Sequence, residues 1–147
     1  MSKIGDDIEN ILRQHYAGRR VLVVEDDPLN AEVMQALLDE IGWHVAIARS
    51  GRAAIELARN AAYDVVLMDL KMPEMDGLEA TRQLKQIPHM QSVPIIAVTA
   101  NIFRSDRESC LNAGAADYLT KPLDLPTFYA TLLKWLGNQG DPGTQPA

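Results

Sequence analysis

The sequence predicts an α/β fold, a doubly wound parallel sheet of five strands with helices on both faces. Two observations carry this prediction. Short apolar runs, typical of strands that are buried on both faces, alternate five times with segments of helical periodicity. Several of these runs end abruptly in polar residues, where a loop begins. The predicted strands are 20–24, 43–48, 63–70, 94–100 and 116–120.

Length and composition limit the range of functions. The chain has 147 residues, which fits one domain with short tails, and 47% of them are hydrophobic, enough for a substantial core. The net charge of −6 and the pI near 5.0 argue against a nucleic-acid partner. The single cysteine excludes an internal disulfide and a cysteine metal cluster, and it favours a reduced, cytoplasmic setting. No apolar stretch approaches the ~18 residues of a membrane span, so no membrane contact is expected.

Residues 1–18 are predicted to form an extension that precedes the domain. Its apolar residues recur at helical spacing and predict a short amphipathic helix over 7–16. These residues are Ile4, Ile8, Ile11 and Leu12. Because so short a helix is marginal alone in water, its apolar face needs a surface to pack on. We interpret it either as a tail lying on its own domain or as the end of a connector from a larger upstream protein.

The remaining helices are placed by apolar spacing and by start and stop signals. Pro28 opens the first, because the N–H of a first-turn residue has no intrahelical partner, and Gly42 ends it. The residues assigned to its buried face are Leu29, Val33, Leu37 and Ile41. Further helices are predicted at 52–60, 78–87, 103–113 and 124–136, the last capped by Asp124. Residues 138–147 lack periodicity and are predicted to be a disordered tail, which leaves 19–137 as the domain.

Polar side chains follow four of the predicted strands at the point where each strand ends. They are Asp26, Asp27, Asp69, Thr99 and Lys121, with Glu25 beside the first two. Because the carboxyl ends of parallel strands meet at one edge of a sheet, these side chains are expected to lie together. Clustered carboxylates repel one another and need a cation, and oxygen ligands of this kind suit Mg2+. The lysine and the hydroxyl suit an anionic oxygen group, which we interpret as phosphoryl.

This arrangement resembles the receiver domain of two-component response regulators. The matching motifs, in the family's order and spacing, are Glu25-Asp26-Asp27, Met68-Asp69-Leu70 with Met72-Pro73 and Met75-Asp76-Gly77, Val98-Thr99-Ala100, and Tyr118 with Lys121-Pro122. The resemblance covers roughly 20–137 and depends on the coincidence of these motifs, since no single one would suffice. It implies the flavodoxin-like (βα)5 fold with strand order 2-1-3-4-5, in which strands one and three flank the switch point of the sheet.

The resemblance implies a role for each polar residue. Asp69 would take a phosphoryl group from a histidine kinase or a histidine phosphotransfer protein, as the phosphoacceptor of a phosphorelay. The expected Mg2+ ligands are Asp69 and Asp27 directly, Asp26 through water and the backbone carbonyl of Lys71, with Glu25 in support. Lys121 would offset charge on the phosphoryl oxygens. Mg2+-assisted self-phosphorylation and self-dephosphorylation are the only reactions expected, so the domain is not predicted to be an enzyme in its own right.

The resemblance also implies a conformational switch. Thr99 would hydrogen-bond the bound phosphoryl group, and Tyr118 would fill the space that the threonine vacates. The surface remodelled by this change is formed by the predicted elements 103–113, 116–120 and 124–136. A homodimer through this surface is an expectation that follows.

Two residues are expected to set the lifetime of the phosphoryl group. By resemblance, Lys71 and Asn101 would border the approach of the hydrolytic water. The long, charged side chain of Lys71 is a poor base for orienting that water, so it is expected to slow hydrolysis. The Lys121-Pro122 peptide bond is expected to be cis, as in the family.

Other classes of protein share part of this pattern. A haloacid dehalogenase-type phosphatase also uses a strand-end aspartate and Mg2+, but it needs a second aspartate where this chain has Lys71. A dinucleotide-binding domain needs a glycine-rich motif after the first strand, and the sequence has none there. A docking module that regulates a partner without phosphorylation is disfavoured by the complete set of polar residues. The domain is interpreted either as a stand-alone receiver or as the receiver of a hybrid histidine kinase, and the run 12–21 favours the second.

Overall fold

The computed structural model describes residues 3–71, 76–100 and 104–138. The strands are β1 (Arg20–Val24), β2 (His44–Ala48), β3 (Val65–Asp69), β4 (Ile95–Thr99) and β5 (Asp117–Thr120). The helices are α1 (Lys3–His15), α2 (Pro28–Glu40), α3 (Gly51–Asn60), α4 (Gly77–Leu84), α5 (Arg104–Ala113) and α6 (Leu125–Asn138), with a short 3-10 helix at Pro88–Met90. The strands form one parallel sheet in the order β2-β1-β3-β4-β5, which confirms the predicted fold class and strand order.

The register of the sheet brings the ends of its central strands to the same edge. Met68 of β3 pairs with Val24 of β1, so the residues that follow them, Asp69 and Glu25, lie next to each other. The amide of Glu25 donates a 2.9 Å hydrogen bond to the carbonyl oxygen of Ala48, the last residue of β2. The backbone is therefore held in sheet-like pairing for one residue beyond β1, at the place where the acidic residues begin.

Alternate residues of the strands enter two cores, one on each face of the sheet. Val21 and Val23 of β1 pack on the side of α1, α2 and α6, whereas Leu22 and Val24 pack on the side of α3 and α4. All four are buried, as is Phe128 of α6. Because both faces of β1 are covered, the strand is apolar throughout rather than alternating, as its sequence predicts.

The prediction for the buried face of α2 is wrong in part. Its buried residues are Ala31, Met34 and Leu38, followed by Ile41 just beyond the helix, whereas Leu29 is 67% and Val33 is 51% exposed. Leu37 is only partly buried, so of the predicted set Ile41 alone lies fully in the core. Both sets of residues have helical spacing, and so the sequence pattern alone does not distinguish which of them faces the sheet.

The helix predicted over 7–16 is present as α1, which begins four residues earlier and ends at His15, and it packs on the domain itself. Leu12 is fully buried and Tyr16 is 8% exposed in the same core as α2 and α6, while Ile11 is 38% exposed. Nε of Arg13 donates a 3.0 Å hydrogen bond to the carbonyl oxygen of Glu40, which ties α1 to the end of α2. The described part of the chain contains no helix that is both long and apolar enough to cross a membrane. Residues 139–147, most of the predicted tail, lie outside the described residues.

Candidate functional site

Three carboxylates come together at the carboxyl edge of the sheet. Glu25, Asp26 and Asp69 each offer an oxygen atom, and these atoms lie within 4.8 Å of one another. Glu25 is 2% and Asp69 is 5% exposed, so two of the charges are largely removed from water. Like charges at this separation destabilise the site unless a cation or a proton offsets them. An all-oxygen donor set of carboxylates is the type of site that suits Mg2+.

Lys121 supplies the positive charge that contacts this cluster directly. Its Nζ atom lies 3.1 Å from Oε1 of Glu25 and 3.6 Å from Oδ1 of Asp69. Burial by itself lowers the pKa of the Lys121 ammonium, but the hydrogen bond to Glu25 and the charges of Asp69 and Glu25 outweigh it and raise the pKa. The lysine therefore stays protonated and bridges the end of β5 to the ends of β1 and β3.

The surroundings of Glu25 raise the pKa of its carboxyl group. Burial raises its pKa, and the hydrogen bond and negative charge of Asp69 raise it further, against the opposing effect of Lys121. A divalent ion bound to these oxygen atoms would offset the repulsion between the two carboxylates.

The structure places Asp27 differently from the other acids. Its Oδ1 accepts a 3.0 Å hydrogen bond from the amide of Leu29, which makes Asp27 the N-cap of α2. The side chain is exposed and is not one of the three whose oxygen atoms cluster, although it lines the same pocket. Glu25, assigned only a supporting role from the sequence, is the third member of the cluster instead. Direct metal ligation by Asp27 stays a prediction. The positions of the oxygen atoms favour Asp26 and Glu25 as the residues that join Asp69 around a metal ion. An aspartate directly before a helix-opening proline is a capping signal that could have indicated this.

The loop after β3 is held tightly against Asp69. Oδ1 of Asp69 accepts a 3.2 Å hydrogen bond from the amide of Lys71, and the amide of Gly77 donates to the carbonyl oxygen of Leu70 at 3.1 Å. A Cβ atom at Gly77 would lie 2.4 Å from the carbonyl oxygen of Asp69, so only glycine fits here. The start of α4 thus limits the movement of the strand end. Residues 72–75, which include part of the matching motif, lie outside the described residues.

Two adjoining cavities open at this edge. The acidic one has a volume of about 310 Å3 and is lined by the four acids together with Asn30, Lys71, Ala100 and Lys121. The apolar one, about 580 Å3, lies between α2 and the segment that joins β5 to α6. Its apolar lining is Val33, Met34, Leu37, Val98, Ala100, Pro122, Leu123 and Leu125. Because the two share residues such as Asn30 and Lys121, a molecule that enters the acidic cavity has an apolar wall beside it.

The predicted switch residues lie on neighbouring strands. Thr99 ends β4, is 4% exposed, and its carbonyl oxygen accepts a 2.8 Å hydrogen bond from the amide of Lys121. Tyr118 of β5 is half-buried, and the guanidinium of Arg107 lies 5.0 Å from the centre of its ring, a cation–π contact. The Lys121-Pro122 peptide bond is cis, as expected. Asn101 lies outside the described residues.

Arg49 is a residue near the site that the sequence-based prediction did not include. Arg49, which follows β2, donates a hydrogen bond from Nη2 to the backbone carbonyl oxygen of Asp26 at 2.9 Å. No sequence motif indicated it, because the contact joins residues 23 positions apart through the order of the strands.

Comparisons with known proteins agree with this geometry. A family model described as the response regulator receiver domain matches residues 21–133. The signal transduction histidine-protein kinase BarA of Escherichia coli (strain K12) is 39% identical over 120 residues, which are 82% of this chain and 13% of BarA. The polar-differentiation response regulator DivK of Brucella ovis is 37% identical over 120 residues, again 82% of this chain but 98% of DivK. The chain thus spans a small part of the length of one relative and nearly all of the other.

Solved structures give the same result. The receiver domain of the sensor histidine kinase PA1611 from Pseudomonas aeruginosa PAO1 is 41% identical, with a TM-score of 0.77 over 82% of this chain and 99% of that one. That structure holds a magnesium ion in its active-site cleft. The receiver domain of Ssk1 from Saccharomyces cerevisiae, solved with the histidine phosphotransfer protein Ypd1, is 26% identical with a TM-score of 0.77, over 84% of this chain and 92% of that one.

Proposed function

The chain belongs to the response regulator receiver domain family, and on that premise we propose that Asp69 is its phosphoacceptor. A receiver domain is the phosphate-accepting module of a two-component phosphorelay. The observation that carries the assignment is the position of Asp69 at the end of β3, nearly buried, beside two carboxylates and 3.6 Å from the ammonium of Lys121. A carboxylate held there is a nucleophile with one positive charge, that of Lys121, already beside it.

The residues present fit a Mg2+ ion. Asp26, Asp69 and Glu25 would hold it, because their oxygen atoms already converge within 4.8 Å. Bound there, the ion would offset negative charge on the phosphoryl oxygens as they approach the acids. Asp26 and Asp69 are the direct ligands in this proposal, and the more buried Glu25 takes the outer position that the sequence suggested for Asp26. Metal-assisted self-phosphorylation and self-dephosphorylation remain the proposed reactions.

In the proposed transfer, one oxygen of Asp69 attacks the phosphorus atom of a phosphohistidine. An O–P bond forms as the P–N bond breaks, and the electron pair of that bond stays on the imidazole nitrogen of the donor. Lys121 moves its contact from the carboxylates to a phosphoryl oxygen, where its charge stabilises the group that arrives. Thr99, at the end of the adjacent strand, supplies a hydroxyl to a second phosphoryl oxygen.

The apolar surface next to the site is our candidate for the contact with the phosphodonor protein. Leu29 and Val33 of α2 are 67% and 51% exposed, and Leu125 at the start of α6 is 46% exposed. Val33 and Leu125 both line the apolar cavity, which shares Lys121 with the acidic one. Large apolar side chains exposed together are characteristic of protein interfaces. A histidine kinase or a histidine phosphotransfer protein whose phosphohistidine enters the acidic cavity would lie on this surface.

The face formed by α5, β5 and α6 remains the proposed site of a homodimer. Helix α1 packs along α6, and Ile8 of α1 borders a groove that also contains Asp117 and Lys134. A dimer through this face therefore has to accommodate α1 at its edge.

Phosphorylation can be tested with the whole chain and a small acyl phosphate as donor. We expect wild type to gain the mass of one phosphoryl group only when Mg2+ is present, and Asp69→Asn to gain none. Asp39→Asn, which changes an exposed carboxylate of α2, is the matched control and should be labelled like wild type. Labelling of Asp69→Asn to the wild-type extent would disprove the assignment. A wild-type chain that binds a partner but is never labelled would favour the docking module.

A further inference from the structure

Arg49 occupies a backbone position that is fixed on both sides. The residue before it, Ala48, ends β2, is 1% exposed and accepts the hydrogen bond from the amide of Glu25. The residue after it, Ser50, is the N-cap of α3, and its Oγ accepts a 3.1 Å hydrogen bond from the amide of Ala53. The Cα atom of Arg49 is therefore held between the sheet and a helix start, so its side chain reaches outward from a rigid base.

That side chain extends to the turn that carries two of the three clustered carboxylates. Nη2 of Arg49 donates to the backbone carbonyl oxygen of Asp26 at 2.9 Å. Glu25 is already held to β2 through its amide, and Asp27 is held to α2 as its N-cap. Asp26 lies between these two fixed residues, and the hydrogen bond from Arg49 restrains the peptide group of Asp26. Because the direction of a carboxylate depends on the backbone that carries it, this contact restrains where the Asp26 carboxylate points.

We propose that Arg49 is a positioning residue for the metal site: it holds the peptide group of Asp26 so that the Asp26 carboxylate stays aimed at the oxygen atoms of Asp69 and Glu25. The inference rests on the proposed function, since it concerns how the Mg2+ site is kept in shape. Groups that orient a metal ligand from outside the coordination shell have substantial effects on metal affinity. Arg49 touches neither the phosphoryl group nor the metal in this assignment.

Because Arg49 is positively charged, the direction of the change in Mg2+ affinity on its removal tests the proposal. A guanidinium near a cation site repels the incoming cation, so loss of the charge alone should strengthen Mg2+ binding. Loss of the hydrogen bond to Asp26 should weaken it, because the ligand becomes less well oriented. If Arg49 positions Asp26, the second effect exceeds the first, and removal of a positive charge weakens the binding of a positive ion.

The experiment is a calorimetric titration of Mg2+ into the full chain. Arg49→Met keeps the aliphatic stem and removes the donor, and we expect its Mg2+ affinity to fall by about tenfold, at the low end of the range for groups outside the coordination shell. Arg49→Lys, which retains the charge and a single-point donor, should lie between wild type and Arg49→Met. The control is Arg52→Ala in the first turn of α3, an exposed arginine whose removal changes the net charge equally. It should bind Mg2+ as tightly as wild type or more tightly.

Each outcome decides the inference. An Arg49→Met variant that binds Mg2+ as well as wild type or better would overturn it, and one that binds more weakly while Arg52→Ala does not would support it. If Arg49→Met fails to fold, as judged by circular dichroism without metal, Arg49→Leu, which also lacks a donor, is titrated in its place and is interpreted in the same way. Failure of the proposed function would look different. Either wild type would show no specific Mg2+ binding, or Asp26→Asn and Asp69→Asn would bind Mg2+ as tightly as wild type.

Discussion

The two ends of β3 place the same residue type in opposite electrostatic situations. Asp64, just before the strand, accepts a 2.8 Å hydrogen bond from the backbone amide of Arg20 and helps to close the amino edge of the sheet. Asp69, the last residue of the strand, is nearly buried and faces the carboxylates of Glu25 and Asp26. The first aspartate accepts a hydrogen bond that helps to hold the fold, whereas the second lies beside two like charges with the single ammonium of Lys121 to offset them. The carboxyl edge thus retains an unfavourable cluster of negative charges at the place where the proposed chemistry needs it.

Two arginine side chains at the amino edge lie over aromatic rings. The guanidinium of Arg20 lies 5.6 Å from the ring centre of Tyr63, and that of Arg19 lies 5.1 Å from the ring centre of Tyr16. Such cation–π contacts are each worth about 0.5–1 kcal/mol at exposed sites. Tyr16 directly follows α1, so the end of that helix packs at the amino edge of the sheet.

The largest effect is expected from removing the anchor of α1 at the amino edge. Leu12 is fully buried, and Leu12→Ala should lower the free energy of unfolding by about 2–5 kcal/mol through lost burial and the cavity left behind. Ile11→Ala, at the exposed neighbour, should change it by no more than about 0.5 kcal/mol. Urea denaturation of the two variants and wild type gives both numbers. Equal small effects would show that α1 adds nothing to the stability of the domain.

At the carboxyl edge, the comparison is between two adjacent aspartates. Asp26→Asn should weaken Mg2+ binding at least about tenfold, because it alters a proposed ligand rather than a group outside the coordination shell. Asp27→Asn keeps a good N-cap for α2 and should change the affinity by much less. Calorimetric titration of both variants ranks them. The reverse order would restore the original sequence-based assignment, in which Asp27 is the direct ligand.

The electrostatic contrast itself can be tested by the same substitution at both ends of β3. Without metal, Asp69→Asn should raise the free energy of unfolding by about 1 kcal/mol, since it relieves repulsion among buried carboxylates. Asp64→Asn replaces a charged acceptor by a neutral one and should lower it by about 0.5–1 kcal/mol. Thermal melts with and without Mg2+ measure this. Mg2+ should stabilise wild type by mass action and Asp69→Asn much less. Shifts of the same sign in the two metal-free variants would contradict the comparison.

The smallest expected effect concerns the lifetime of the phosphoryl group. Lys71 is exposed and lines the acidic cavity, where its side chain can obstruct the in-line approach of water. Lys71→Asn should lose the phosphoryl group several-fold faster, a change that requires less than ~1.4 kcal/mol in the barrier. Single-turnover decay at saturating Mg2+ compares the variant with wild type, and Lys71→Arg serves as the charge-preserving control. Slower decay in Lys71→Asn would place the lysine among the groups that promote hydrolysis.

The sequence by itself determined the elements and the place of the site. Apolar runs that are covered on both faces specify strands such as β1 and β3. The polar residue that ends each run marks the end of the strand, and so it can be identified from the same local pattern. Because the carboxyl ends of parallel strands meet at one edge of a sheet, the sequence also predicts that Asp26, Asp69, Thr99 and Lys121 lie together. The capping signal at Asp124 acts within a few residues and was equally readable.

Only the tertiary structure decided which of several locally equivalent options is used. Two stripes of α2 share the same helical spacing, and packing against the sheet buries the one with Ala31 and Met34 while Leu29 stays exposed. Asp26 and Asp27 are chemically identical neighbours, yet the start of α2 engages the second, while an oxygen atom of the first lies close to those of Glu25 and Asp69. The contact of Arg49 with Asp26 exists only because β2 lies beside β1. The burial of one stripe of α2 and the contact of Arg49 depend on groups distant in the chain, which no local pattern of residues can encode. Capping by Asp27 is local, but the approach of Asp26 to Asp69 joins residues that are distant in the chain.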